Sequence, residues 1–237
     1  MRGGGSFLRP SSSSVSFLLR ACSSASVTLA PVHWLTGLQV SNPDATRTAN
    51  VDASFFPLGA APSSASLALP PGASARYEDV VAELFHAPPG QGAVVLTSDV
   101  PVAASYRNAA RRLDDGTEHA GMSPLLDGAA PVPAGGADAI DVSFSAARRT
   151  NLLLFNRGGA GTVTLTGFDP GGAQVGQLAV PIAASSSARV DRLLDALGSP
   201  ATAFGRVRVV PSAGMQLYAQ TVNVDPFTGD TDLVDVR

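Results

Sequence analysis

The sequence matches itself at a displacement of about 113 residues, and this internal repeat constrains the fold more than any other feature. Asn42 aligns with Asn156, Phe56 with Phe168, Leu67 with Leu178, Arg76 with Arg189, Gly92 with Gly205 and Asn108 with Asn223. Six anchors in one order at nearly constant spacing mark a recurrent structural unit. A chain of 237 residues organised in this way holds two modules, each the size of an ordinary domain. The expected boundaries are a disordered or degenerate signal segment at 1–23, module one at 24–121, a Pro/Gly-rich linker at 122–137 and module two at 138–237.

Inside the modules the apolar residues recur every second position. Gly205-Arg206-Val207-Arg208-Val209 alternates, as does Met215 to Thr221, and each reads as a strand with one wet and one buried face. Short runs over Thr150–Asn156, Gly161–Phe168 and Gln174–Val180 are separated by Gly, Pro, Asp and Ser, the punctuation of an antiparallel sandwich. One departure recurs in both modules. Val190, Leu193, Leu194 and Leu197 share a helical face, with Gly198 as a stop, and Tyr77 to Leu84 repeats the spacing. Glu78 and Asp191 stand near the two helix starts, where the dipole favours negative charge. The pattern predicts an all-β chain: two tandem antiparallel β-sandwiches, each with one short helix.

The run Arg149-Thr150-Asn151-Leu152-Leu153-Leu154-Phe155-Asn156 is followed by a Gly-rich turn, then Thr162-Val163-Thr164-Leu165 and a Pro-Gly-Gly turn. With the late helix and the Asp-Pro-x-Thr-Gly-Asp hairpin at Asp225–Asp230, it resembles repeated β-sandwich modules of secreted and surface proteins from high-GC bacteria. The resemblance covers roughly residues 25–237. It implies an immunoglobulin-like sandwich and an extracellular setting, and it carries no catalytic motif.

Composition narrows the function classes. A formal net charge of −3 leaves no basic field for a phosphate backbone, so nucleic acid is not an expected partner. No apolar stretch has the length of a membrane span. All 16 basic residues are Arg, which removes Schiff-base chemistry and the phosphate-loop lysine. Near the N-terminus Arg2 and Arg9 precede Val15-Ser16-Phe17-Leu18-Leu19 and then small residues, the order of a secretory signal, but Arg20 cuts the apolar core short. Leu19-Arg20-Ala21-Cys22 imitates a lipoprotein cleavage site in the same incomplete way.

An active site needs convergent polar groups, and the residue types that could supply them are scattered along this sequence. His33, His86 and His119 have no second histidine at metal-ligand spacing, and Cys22 is alone. Gly158-Gly159-Ala160-Gly161 reads as a turn between strands, because it lacks the setting of a dinucleotide site. Asp191 and Asp195 lie one helical turn apart and read as a solvated face beside Arg189 and Arg192. Asp225, Asp230 and Asp232 are the calcium candidates of the acidic hairpin, against a plain turn in which Gly229 supplies positive φ. Trp34 and Tyr218 would form a sugar-stacking platform only if brought together from different modules. No catalytic residue and no cofactor is expected.

The remaining candidate is a patch. Alternation places Leu152 and Leu154 inward, like their counterparts Leu38 and Val40, and turns Leu153 and Phe155 outward. Module one carries Gln39 and Ser41 at those outward positions. Module two thus has an apolar patch for the linker, the other module or a partner to cover. The expected function is a non-enzymatic structural, adhesive or assembly module of a secreted or cell-surface bacterial protein. Its partners would be other modules of the same polypeptide or surface proteins. The alternative is a carbohydrate-binding accessory module with a glycan as ligand.

Overall fold

The computed structural model describes residues 13–19, 32–112, 118–121, 130–145, 148–199, 202–224 and 231–236. Module one contains β1 (Ser13–Leu19), β2 (Val32–Ser41), β3 (Ala49–Pro57), β4 (Ser63–Leu69), β5 (Ser74–Tyr77), α1 (Val80–Glu83), β6 (Gly92–Ser98), β7 (Ala103–Arg112) and β8 (Glu118–Gly121). Module two repeats the series as β9 (Ala137–Phe144), β10 (Arg149–Asn156), β11 (Gly161–Phe168), β12 (Gln174–Ile182), β13 (Ser186–Val190), α2 (Leu193–Ala196), β14 (Thr202–Pro211), β15 (Leu217–Val224) and β16 (Thr231–Asp235).

Module one is two antiparallel sheets, ordered β1-β6-β3-β4 and β5-β2-β7-β8. Module two pairs its strands in the same scheme: β9-β14-β11-β12 in one layer and β13-β10-β15-β16 in the other. The layers of module two join at a corner where β9 touches β10 through the single pair Arg149–Phe144. Asp141, at φ 55°, and register shifts against β14 let β9 bend there. The chain is therefore all-β, two tandem antiparallel sandwiches with a one-turn helix in each. The immunoglobulin likeness stops at this architecture. The first two strands of the constant-type domain pair within one sheet, whereas β1 and β2 belong to opposite layers.

Alternation builds each core. Along β3, Ala49, Val51, Ala53 and Phe55 are buried, and they meet Leu38 and Val40 of β2 and Val94 and Leu96 of β6. In module two Leu152 and Leu154 meet Val163, Leu165, Val207 and Val209. The buried polar residues repeat as well. Asn42 donates to the carbonyls of Arg47, Leu69 and Pro70 and accepts from Asp44 N. Asn156 donates to the carbonyls of Gly159 and Ala183 and accepts from Gly158 N and Gln216 N. A buried amide satisfied on both sides fixes loops that have no ladder of their own. The register sets Thr36 opposite Asn108 and Thr150 opposite Asn223, and Thr150 Oγ1 donates to Asn223 Oδ1 at 2.5 Å.

Three expectations are adjusted. Each helix is one turn and not two, because Tyr77 pairs with Leu38 and Val190 with Leu152 as strand residues. Asp79 caps α1 by accepting from Val81 N, and Arg192, at φ 50°, donates its backbone N–H to Asn151 before α2. The apolar face still works as expected, with Leu193, Leu194 and Leu197 buried in the core of module two. Second, Ser13–Leu19, inside the stretch read as disordered or a degenerate signal, forms β1 and pairs with β6 over its whole length. The alternation of Val15, Phe17 and Leu19 suits a strand, and β6 needs a neighbour as β14 needs β9. Third, the linker is partly structured. Val132 is buried in the module-two core and its N–H donates to Leu217 O, and Pro133 to Gly136 form a turn leading into β9 at Ala137.

Candidate functional site at the joint between the modules

Strands β6 and β10 are buried on both faces. In β6, Val94 and Leu96 point into module one while Ala93 and Val95 point out of it. In β10, Leu152 and Leu154 fill module two while Leu153 and Phe155 leave it. The outward residues meet one another. Ala93 and Val95 form one apolar cluster with Leu153, Phe155, Val222 and Val224, flanked by Phe56 and Tyr218. Leu153 and Phe155 are 4% and 1% exposed, so the patch expected outside the sandwich is covered by module one. The rings of Phe56 and Phe155 lie 5.0 Å apart, and Tyr218 stacks on Phe155 at 6.2 Å. These distances are within the range of favourable aromatic pairs.

Polar groups close the edge of this joint. Ser187 Oγ donates to Phe56 O at 2.8 Å, and Leu58 bridges Ser187 in parallel. Arg189 donates through one nitrogen to Gln91 Oε1 at 2.7 Å and through another to Asp191 at 2.5 Å. Apolar centre and hydrogen-bonded edge together have the anatomy of a protein–protein interface, here within one chain.

The module-one half of the joint was not singled out in the sequence. Its signal is the continuous run Ala93-Val94-Val95-Leu96, since a strand covered on both faces loses its alternation. The corresponding Arg206-Val207-Arg208-Val209 keeps it.

The other candidates do not converge. Asp191 pairs with Arg189, and Asp195 with Arg192 at 3.3 Å, so the two carboxylates serve different arginines. His86, at φ 48°, holds Ala82 O through Nδ1. Gly158 and Gly159 form the turn after β10, bonded to Asn156 and to Gly214 O. Asp225 and Asp230 lie outside the described residues; Asp232 is a β16 residue opposite Asn223. Tyr218, half of the notional sugar platform, is engaged by Phe155. Among the described residues no group of three metal-ligating side chains gathers, and no helix is long and apolar enough to cross a membrane.

Among the described residues two carboxyls are held below their usual range, both in module one. Asp44 accepts from the backbone amides of Thr46 and Arg47 and from the Arg47 side chain. Asp99 accepts from the Asn50 side chain at 2.6 Å and from its amide at 2.8 Å. Each bond favours the ionised form, and each fixes a turn. A groove of about 170 Å³ opens on the outer face of β2, β5 and β7, edged by Gln39, Arg76, Glu78 and Arg107. Arg76 and Glu78 pair across it at 2.8 Å.

No protein-family model matches this chain, and no curated protein matches it in sequence.

Proposed function

We propose that this chain is a non-enzymatic structural, adhesive or assembly unit of a secreted or cell-surface bacterial protein, in which two sandwiches act as one stiff body. The observation that carries the reading is the joint. Paired domains move relative to each other unless the surface between them is apolar and well packed, and Phe56, Phe155 and Tyr218 supply such a surface. A unit of this kind transmits position and load along a polypeptide without needing a reactive site.

The test is topological. Intact cells producing the protein are treated with trypsin, which has only Arg to cleave here, and the fragments are compared with those from lysed cells. Cleavage in intact cells is expected; protection until lysis would overturn the surface assignment. A glycan array separates this reading from a carbohydrate-binding module. A sugar whose binding is lost in Arg76→Ala, at the open groove, would favour the carbohydrate reading.

A further inference from the structure

The outermost strand of a sheet carries a row of unpaired N–H and C=O groups, and an edge that must stay single is blunted by charge, proline, a bulge or a cover. Module two blunts its edge strand β12 three times. Pro181 has no N–H to donate, Val175 is left over where the register against β11 shifts, and the backbone of Gly176 lies against Leu197 O, so close that a methyl group there would overlap it. The corresponding strand of module one, β4, has neither charge nor proline among its seven residues and keeps one unbroken register with β3. By these registers Ser66 takes the place of Ala179 and Ala68 that of Pro181.

Strand β4 ends the order β1-β6-β3-β4, with β3 its only strand neighbour among the described residues, and the turns at 58–62 and 70–73 that flank it are described throughout. Asn42 holds the carbonyls of Leu69 and Pro70, so the open stretch ends at Ala68. The other edges differ. Strand β5 has four residues and includes Arg76, paired with Glu78; β13 meets Leu58 of module one; and β1, β8 and β16 border residues outside the described ones.

We infer that the β4 edge is where two copies of this chain pair, antiparallel about a two-fold axis at Ser66, so that two four-stranded sheets become one. The strand is complementary to itself in that register. Ala65 faces Leu67 of the second copy, both half-buried against the core, while the exposed Ser64 faces the exposed Ala68, and Ser66 faces its own image. No charge meets a like charge within the paired strands. Asp52, which accepts from Ser66 Oγ at 2.9 Å, lies on β3, three strand spacings or about 14 Å from its image and beyond the screening length of about 8 Å. The inference stands apart from the proposed location and role of the protein.

Sedimentation of the full chain over a concentration series reaching about 1 mM, the weak end of specific association, tests it. The wild type should show a reversible monomer–dimer equilibrium and nothing larger. Ala68→Pro, which copies Pro181 of β12, should abolish the dimer. Ser66→Glu and Ser66→Lys should each raise the dissociation constant about tenfold or more at low salt, because like charges meet on the axis, and their equimolar mixture should return toward the wild-type value. Ala179→Glu, at the matching place on β12, should change nothing. If Ala68→Pro melts before the wild type, the two Ser66 variants decide. A wild type that is monomeric throughout would overturn the inference, as would a dimer indifferent to the Ser66 substitutions or one lost in Ala179→Glu.

Discussion

Module one and module two share a frame of eight strands and one helical turn, joined by the same pairings, yet they solve three local problems with different chemistry. Beneath the helix, Phe55 of module one fills the core and lies 5.6 Å from Phe85. Its counterpart by register is Gly167, where a methyl group would come within 3.0 Å of Leu197. Module one pairs two rings at this place, whereas in module two the sheet backbone itself closes on the Leu197 side chain, so the two cores are filled differently. At the end of β3 the amide of Asn50 is held by the Asp99 carboxylate, and at the end of β11 the amide of Thr162 is held by the Ser212 hydroxyl. On the outer faces, the residues that meet in the joint are replaced in the other module at most places, although Phe56 keeps its ring in Phe168. Strand ends tolerate exchange as long as the backbone donor keeps an acceptor, whereas the outer faces record what each module has for a neighbour.

The largest expected effect comes from the joint. Phe155→Ala should cost about 3 to 5 kcal/mol in urea melts, as a buried aromatic truncation, while Ser41→Ala at the corresponding place should stay within about 0.5 kcal/mol. Equal losses would mean that the outer faces are not differentiated. Next is the helix of module two. Leu193 is fully buried, so Leu193→Ala should cost about 2 to 5 kcal/mol, against about 0.5 kcal/mol or less for Asp195→Ala on the wet side.

The shared anchors should respond alike. Asn42→Ala and Asn156→Ala each leave buried backbone groups without a partner, for about 1 to 3 kcal/mol per unsatisfied group. A large loss in one module and none in the other would separate the frames at this point.

The smallest effect is an acid response confined to module one. The folded-state pKa values of Asp44 and Asp99 are depressed, so their stabilisation is complete above the unfolded carboxylate pKa of about 3.9 and is lost as the pH falls toward the folded values. Amide exchange at Thr46, Arg47 and Asn50, corrected for its intrinsic pH dependence, should lose protection on acidification, and that at Thr162 should not. Parallel loss at all four amides would show that the carboxylates are not the cause.

Much of this was legible in the residues. Alternation along β14 and β15 gave strands, the match of Leu152 and Leu154 to Leu38 and Val40 gave the inward face of β10, and the repeat of Asn42 in Asn156 and of Asn108 in Asn223 marked positions that are buried anchors or face them. Leu153 and Phe155 were readable as facing out, because period two leaves no other choice once Leu152 and Leu154 are in. What covers them was not, since the surface that does so, Ala93 and Val95, lies some 60 residues earlier in the sequence. The helices were read too long for a related reason: the apolar spacing of Val190 and Leu193 fits a helix as well as a strand end followed by a turn, and pairing with Leu152 decides between them.

The sequence by itself determined the strand content, the duplication and the two-sided character of each sheet, because these depend on local spacing and on which side chains water rejects. Only the tertiary structure decided the strand order, the bend of β9 at Asp141 and the docking of module two on module one. Those follow from hydrogen bonds and contacts between distant segments. An unpaired backbone edge or an apolar face demands a partner without specifying which one, and the choice is made when the whole chain is packed.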